Sequence, residues 1–301
     1  VDMPTLKLKI DTDIPSSRGL GSSSTCIVAG IMAADAWFHG QLNKMEMLKI
    51  ATEIEGHPDN VAPAIFGQAC TSFMDDGDVR MMMIPCQNFK GLAMIPDYPI
   101  QTSEARKVLP QTIDYKDAVK QIGYALSFVQ CLSSGNELIF PKTCHDFLHE
   151  PYRCKLIKEY AEIHDYCKSI DLAMWISGSG STMLAMSLDE KKLDMLQEWI
   201  VKYCGMSYKK VSISTKGAYI VLEKVIEART LLISGKAKRI SEAVKEVGIS
   251  RGTFYKYKDA VFSFDQDQSR RNAVVSMIIK NEKGALSKVL SLVSVKQVNV
   301  L

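Results

Sequence analysis

The 301-residue sequence has no apolar stretch approaching the roughly 20 residues of a membrane-spanning helix, and its opening does not read as a signal peptide. A dense cysteine framework is missing as well. Cys26, Cys70, Cys86, Cys131, Cys144, Cys154, Cys167 and Cys204 form no CxxC pair, which disfavours a disulfide scaffold and fits free thiols in a reducing cytosol. A cytoplasmic protein without a membrane partner is expected. Charge of one sign is also scarce: 37 Lys and Arg against 34 Asp and Glu leave a net charge of +3, too mild to argue for nucleic acid by itself. GK[ST] is absent, which excludes a Walker A loop, and the absence of VAIK and HRD excludes a protein kinase.

What is present, with 47% hydrophobic content, suffices for real cores and about two domains. The stretch PSSRGLGSSS comprises Pro15, Ser16, Ser17, Arg18, Gly19, Leu20, Gly21, Ser22, Ser23 and Ser24, and an apolar run from Cys26 to Trp37 follows it. Gly19 and Gly21 permit positive φ and close approach of a ligand to the main chain. The three serines open a helix, where N–H groups without internal partners and the positive end of the macrodipole favour an anion. Their hydroxyls add donors and a candidate Mg²⁺ ligand. The reading is a phosphate cradle anchored by a buried helix; an ordinary Gly/Ser turn capping a helix is the plain alternative.

Lys44 to Glu53 has helical spacing and delivers EIEGHPDN to one corner, where Glu53 and Glu55 are candidate Mg²⁺ carboxylates. His57, Asp59 and Asn60 share a turn around Pro58, and Asp and Asn there also suit helix capping. Short strands follow at Cys70 to Met74, Met81 to Ile84 and Gly91 to Ile95. Thr102 and Ser103 read as caps of a short helix bearing Arg106. A long helix comes next, with Val119, Ile122, Leu126 and Val129 on one face, and HDFLHEPYR then ends on Arg153. A guanidinium fork meets a carboxylate bidentately, whereas a lone arginine is more often a surface charge. Cys144, His145, His149 and Cys154 are ligand-like types, but they lack the spacing of a zinc site and metal binding is disfavoured. LAMWISGSGSTMLAMS, Leu172 to Ser187, reads as strand, glycine turn and strand. A helix from Lys191 to Tyr203 and a strand from Lys210 to Ser214 complete a ferredoxin-like order.

PSSRGLGSSS resembles the second signature of the GHMP small-molecule kinases, EGHPDNVAPAIFG resembles the homoserine kinase branch in particular, and Ser177 to Ser181 resemble the third signature. The resemblance implies transfer of the ATP γ-phosphate to L-homoserine with Mg²⁺. It implies nucleotide contacts along Pro15 to Ser24, Mg²⁺ on Ser23 and on Glu53 with Glu55 as alternate, and substrate contacts from Asn60, Thr102, Arg106 and Arg153. Glu53, Asn60, Arg106 and Arg153 then form the catalytic set. The family carries a longer segment before the phosphate loop, so the chain is expected to lack it.

The tail differs in composition. SGKAKRISEAVKEVGISRGTFYKYKD reads as helix, Gly248, helix, in the pattern of a helix-turn-helix; on sequence alone a packing module is favoured over a nucleic-acid partner. Asn272 to Leu301 resembles the opening of an ACT domain, which implies an amino-acid effector and, through paired interfaces, a homodimer. The expected fold is α+β: a partial GHMP amino-terminal domain over 1–70, a ferredoxin-like domain over 71–222, a helical module over 223–264 and a partial ACT βαβ over 270–301. An inactive fragment acting as an amino-acid-responsive regulator, or a DNA-binding regulator, are the alternatives to the kinase.

Overall fold

The computed structural model describes residues 12–37, 42–214 and 217–257. Leu6 to Ile10, whose alternation of apolar and basic residues reads as a strand, and the ACT-like segment from Asn272 lie outside the described residues. The described chain divides into two compact units, one holding Ser23–Met83, Ser214 and 217–257, the other holding Asp13–Ser22 and Ile84–Ile213.

In the first unit, α1 (Ser22–Trp37), α2 (Lys44–Glu55) and α3 (Val61–Phe66) pack as a helical cluster. Val28 and Ile31 of α1 meet Met47, Leu48, Ile50 and Ala51 of α2 and Val61, Ala62 and Ile65 of α3. The start of α2 is fixed by a capping box, in which Asn43 accepts from the Glu46 amide at 3.0 Å and Glu46 accepts from the Asn43 amide at 2.8 Å. Its end is fixed by Gly56, which takes φ +88° and donates its amide to the Thr52 carbonyl. These two stops set the phase of the helix end carrying Glu53 and Glu55. The hairpin of β1 (Ala69–Asp75) and β2 (Asp78–Ile84) follows.

The second unit is built on an antiparallel sheet of β3 (Lys90–Ile95), β4 (Ala173–Ile176), β5 (Met183–Ser187) and β6 (Ser207–Ser212), in the order β4-β5-β3-β6. With the helices between them this is the ferredoxin-like arrangement expected. Between β3 and β4 run α4 (Thr102–Lys107), α5 (Tyr115–Ser134), α6 (Phe140–Thr143), α7 (Glu150–Arg153), a 3₁₀ turn (Cys154–Leu156) and α8 (Tyr160–Ser169); α9 (Glu190–Tyr203) joins β5 to β6. Successive strand residues face opposite sides. Met174 therefore joins Leu92, Met94, Ile163, Met183, Leu196 and Ile200 in the core under α8 and α9, while Trp175 meets Phe128 and Phe140 on the other side.

Two expectations need correction. The cap of α4 falls at Gln101, without a side-chain bond, rather than at Thr102 or Ser103. On α5 the anticipated apolar stripe is outside: Val119, Ile122 and Leu126 are 52%, 63% and 68% exposed, and Cys131 and Leu132 supply the buried contacts. The tail helices α10 (Ala218–Ile233), α11 (Ile240–Glu246) and α12 (Arg251–Tyr257) belong to the first unit and share a small core of their own. Among the described residues no helix is long and apolar enough to cross a membrane.

Candidate active site

The Gly/Ser loop is held in the second unit by bonds from its own main chain. Ile100 donates its amide to the Ser17 carbonyl at 3.2 Å, and Thr182 donates to the Arg18 carbonyl at 3.1 Å. Arg18 itself grips the main chain, with Nε on the Pro96 carbonyl at 3.0 Å and Nη2 on the Asp97 carbonyl at 2.8 Å. Its guanidinium is thus committed to fixing the loop.

Gly19 takes φ +74° and lies directly on the glycine turn between β4 and β5. A Cβ there would stand 2.1 Å from the Ser177 carbonyl oxygen and 2.9 Å from the Gly180 amide nitrogen. Ser177 Oγ donates to the Gly19 carbonyl at 2.8 Å, closing the contact. Gly21 also takes a positive φ, +71°, but nothing lies within 4 Å of where its Cβ would be. One glycine is required by packing. The other leaves open space over the main chain at the start of α1, where a phosphate can approach backbone N–H groups.

In the first unit Ser23 and Ser24 stand on the first turn of α1 and both donate to Glu55, at 3.2 Å and 3.0 Å. Ser24 is 2% exposed, so its hydroxyl is aimed at Glu55 and away from solvent. Glu53, favoured on sequence, is exposed and lines a separate cavity of about 230 Å³ with Lys49, Thr52, Met74 and Val79. A carboxylate flanked by two hydroxyls is a hard-oxygen set of the kind Mg²⁺ uses beside nucleotide phosphates. Asn60 is exposed at the start of α3 and makes no side-chain capping bond. His57 Nδ1 lies 3.9 Å from Asp59, beyond hydrogen-bonding distance.

The two arginines come together in the second unit. Arg153 Nε donates to the Ala105 carbonyl at 3.3 Å, beside Arg106, and its Nη1 donates to the Gly178 carbonyl at 3.0 Å. Burial first, and then the charge of Arg106, hold the Arg153 guanidinium below its ordinary pKa, while Asp146 opposes them. Arg106 and Thr102 are exposed on α4.

The charge of Asp146 acts on this arginine, and Asp146 and Glu150 together anchor α7, which carries it; nothing in the spacing of the sequence marks them for it. Asp146 accepts the amides of Leu148, His149 and Glu150 at 2.6, 3.0 and 3.2 Å, fixing the entry to α7. Its carboxyl is held below the usual range, because the His149 and main-chain bonds outweigh the opposing effect of burial. Glu150 accepts the Ile176 amide at 3.2 Å at the end of β4. Burial pushes its carboxyl up to about 7, against a bond from Tyr160 and with help from the Asp146 charge. The disfavoured zinc ligands each have other partners: Cys144 donates to the Phe140 carbonyl, Cys154 to the Pro151 carbonyl, His149 pairs with Asp146 at 3.3 Å, and His145 lies edge-on to the Tyr124 ring at 5.2 Å.

Residues 2–68 match the family described as GHMP kinases N terminal domain. The chain is similar to a homoserine kinase of Clostridium botulinum, 41% identical over 189 residues, which are 62% of this chain and 64% of that protein. It is similar to a homoserine kinase of Clostridium beijerinckii, 39% identical over 220 residues, or 71% of this chain and 73% of that one. The fold resembles the crystal structure of homoserine kinase from Cytophaga hutchinsonii, with a TM-score of 0.62 at 24% identity over 69% of each chain. This chain thus spans just under two thirds of the length of the C. botulinum relative.

Proposed function

The chain belongs to the homoserine kinases of the GHMP kinase family, and from that premise we propose that it transfers the γ-phosphate of ATP to the hydroxyl of L-homoserine, giving O-phospho-L-homoserine. The observation that carries this reading is the double use of one turn. Ser177 to Gly180 seats the phosphate loop at Gly19, and the Gly178 carbonyl of the same turn takes the Nη1 of Arg153. A nucleotide loop and a carboxylate-binding arginine therefore share one small scaffold.

Loop residues Gly19 to Ser24 hold the phosphates through main-chain N–H groups and serine hydroxyls. Arg106 and Arg153 hold the amino-acid carboxylate, a role for which a planar fork is suited. Asn60 and Thr102, both exposed, are the further substrate contacts. Of the two carboxylates, Glu55 with Ser23 and Ser24 is the set for Mg²⁺, which supplies neutralisation of charge on the phosphates when bound. Glu53 is left to the neighbouring cavity. With no side chain assigned as general base, rate comes from holding the hydroxyl and phosphate in line and from charge stabilisation.

A cytoplasmic setting and an amino-acid effector acting through the ACT-like segment from Asn272 complete the reading. Homoserine-dependent release of ADP by the chain, compared with Arg106→Ala, tests it.

A further inference from the structure

The tail module α10 to α12 carries none of the residues assigned above to phosphoryl transfer. On sequence alone a packing module is the favoured reading, but the structure shows how the packing is divided. Ala243, Val244 and Val247 of the α11 stretch and Phe254 of α12 close on Val225 and Ala228 of α10. The turn between the two short helices is a Schellman stop. Gly248 takes φ +70° and donates to the Lys245 carbonyl at 3.2 Å, and Ile249 donates to the Val244 carbonyl at 2.9 Å. Ile249 also packs on the core, and Lys224 Nζ donates to the Val247 carbonyl at 2.6 Å, so the turn is held from both sides.

Among the described side chains of α12, Phe254 is the one buried in this core, and an outer face is left exposed. Arg251 and Tyr255, one helical turn apart, are exposed on that face. Gly252 between them is exposed with nothing closer than 3.7 Å to its would-be Cβ. Lys236, Lys238, Arg239 and Lys245 are exposed around α11, and from Lys236 to Tyr257 six basic residues face two acidic ones.

We infer that α10 to α12 form a helix-turn-helix that binds duplex DNA, with the start of α12, Arg251 to Tyr255, entering the major groove and Lys236, Lys238 and Arg239 meeting the phosphates. A short helix docked across a glycine turn, with its first residues presented to base edges, is the working arrangement of that motif. Local charge explains what the mild net charge of the whole chain hides. Phosphate contacts, not overall charge, set the affinity.

The test is fluorescence anisotropy with the full chain and a labelled mixed-sequence duplex of about 30 base pairs, three helical turns. Contacts to about three phosphates predict a log–log salt slope of about −2.7, or roughly a 40-fold weakening between about 50 and 200 mM salt. Arg251→Glu and, separately, Tyr255→Ala are expected to weaken binding about tenfold or more. Lys168→Glu, at an exposed position of α8, changes net charge as Arg251→Glu does and is expected to leave binding within about twofold. The inference is overturned by any of three results: no binding up to about 100 µM duplex at low salt, equal weakening by Arg251→Glu and Lys168→Glu, or equal affinity for the single strand. No nucleotide or homoserine enters the experiment, so its failure is separate from failure of the kinase reading.

Discussion

Ser24 Oγ donates to Glu55 Oε1 at 3.0 Å from a buried position, tying the first turn of α1 to the last turn of α2. Glu53, two residues earlier, points elsewhere. Residues two apart on a helix lie about 200° apart around the axis, so only one of the pair can face the serines. Glu55→Gln is therefore expected to lower Mg²⁺-dependent turnover by about 10- to 100-fold, the usual cost of losing a group that holds or orients a metal. Glu53→Gln is expected to stay within about threefold. A Mg²⁺ titration of ADP release checks both, and the opposite ranking returns the role to Glu53.

Gly19 and Gly21 separate packing from ligand approach. Gly19→Ala places a Cβ 2.1 Å from the Ser177 carbonyl oxygen at a strained φ, and is expected to destabilise the chain by about 2 kcal/mol or more in urea unfolding. Gly21→Ala meets open space and costs only the left-handed backbone, about 1 kcal/mol. Its main expected effect is a raised KM for ATP, because the methyl occupies the approach to the main chain.

Arg153→Ala loses bonds to both the Ala105 and Gly178 carbonyls, so it should lower Tm as well as weaken homoserine use. Arg106→Ala, on the exposed side of α4, should leave Tm unchanged and raise KM for homoserine about 10- to 100-fold, roughly the 1.5 to 3 kcal/mol of a charge-assisted bond. Thermal melts beside Michaelis curves distinguish the two.

Glu150 gives a pH signature. Its carboxyl rises from 4.5 in the unfolded chain to about 7 in the fold, chiefly by burial. A raised acid contributes stability that is fully present below the unfolded value and is lost as pH climbs through the folded one. Tm is expected to fall from about pH 5 to about pH 8, and Glu150→Gln, neutral throughout, is expected to remove most of that slope. Tm profiles of the two proteins check it; parallel profiles contradict the assignment. Tyr160, Asp146 and Cys144, titratable neighbours of Glu150, remain in both.

Much of the fold was written locally. The glycines of the loop, the core spacing of Met47, Leu48, Ile50 and Ala51, and the strand-turn-strand around Gly178 are short-range patterns, and each element formed where they placed it. Which of Glu53 and Glu55 faces the serines was not legible, because it depends on where α1 docks against α2. Periodicity gave the apolar face of α5 but not its exposure, since a stripe shows which residues share a side and not what covers it. Glu150 escaped notice for a related reason: its burial and its bond to Ile176 arise from residues 26 positions apart. On α12 the sequence showed basic and aromatic residues together, and only packing separated buried Phe254 from exposed Tyr255.

Phosphoryl transfer from ATP to L-homoserine, followed as homoserine-dependent ADP release with and without Mg²⁺ in the chain and in Arg106→Ala, tests the central claim most directly. The account predicts Mg²⁺-dependent turnover that requires homoserine and whose kcat/KM falls about 10- to 100-fold in the variant. ADP release indifferent to homoserine, or unchanged by loss of Arg106, would contradict it.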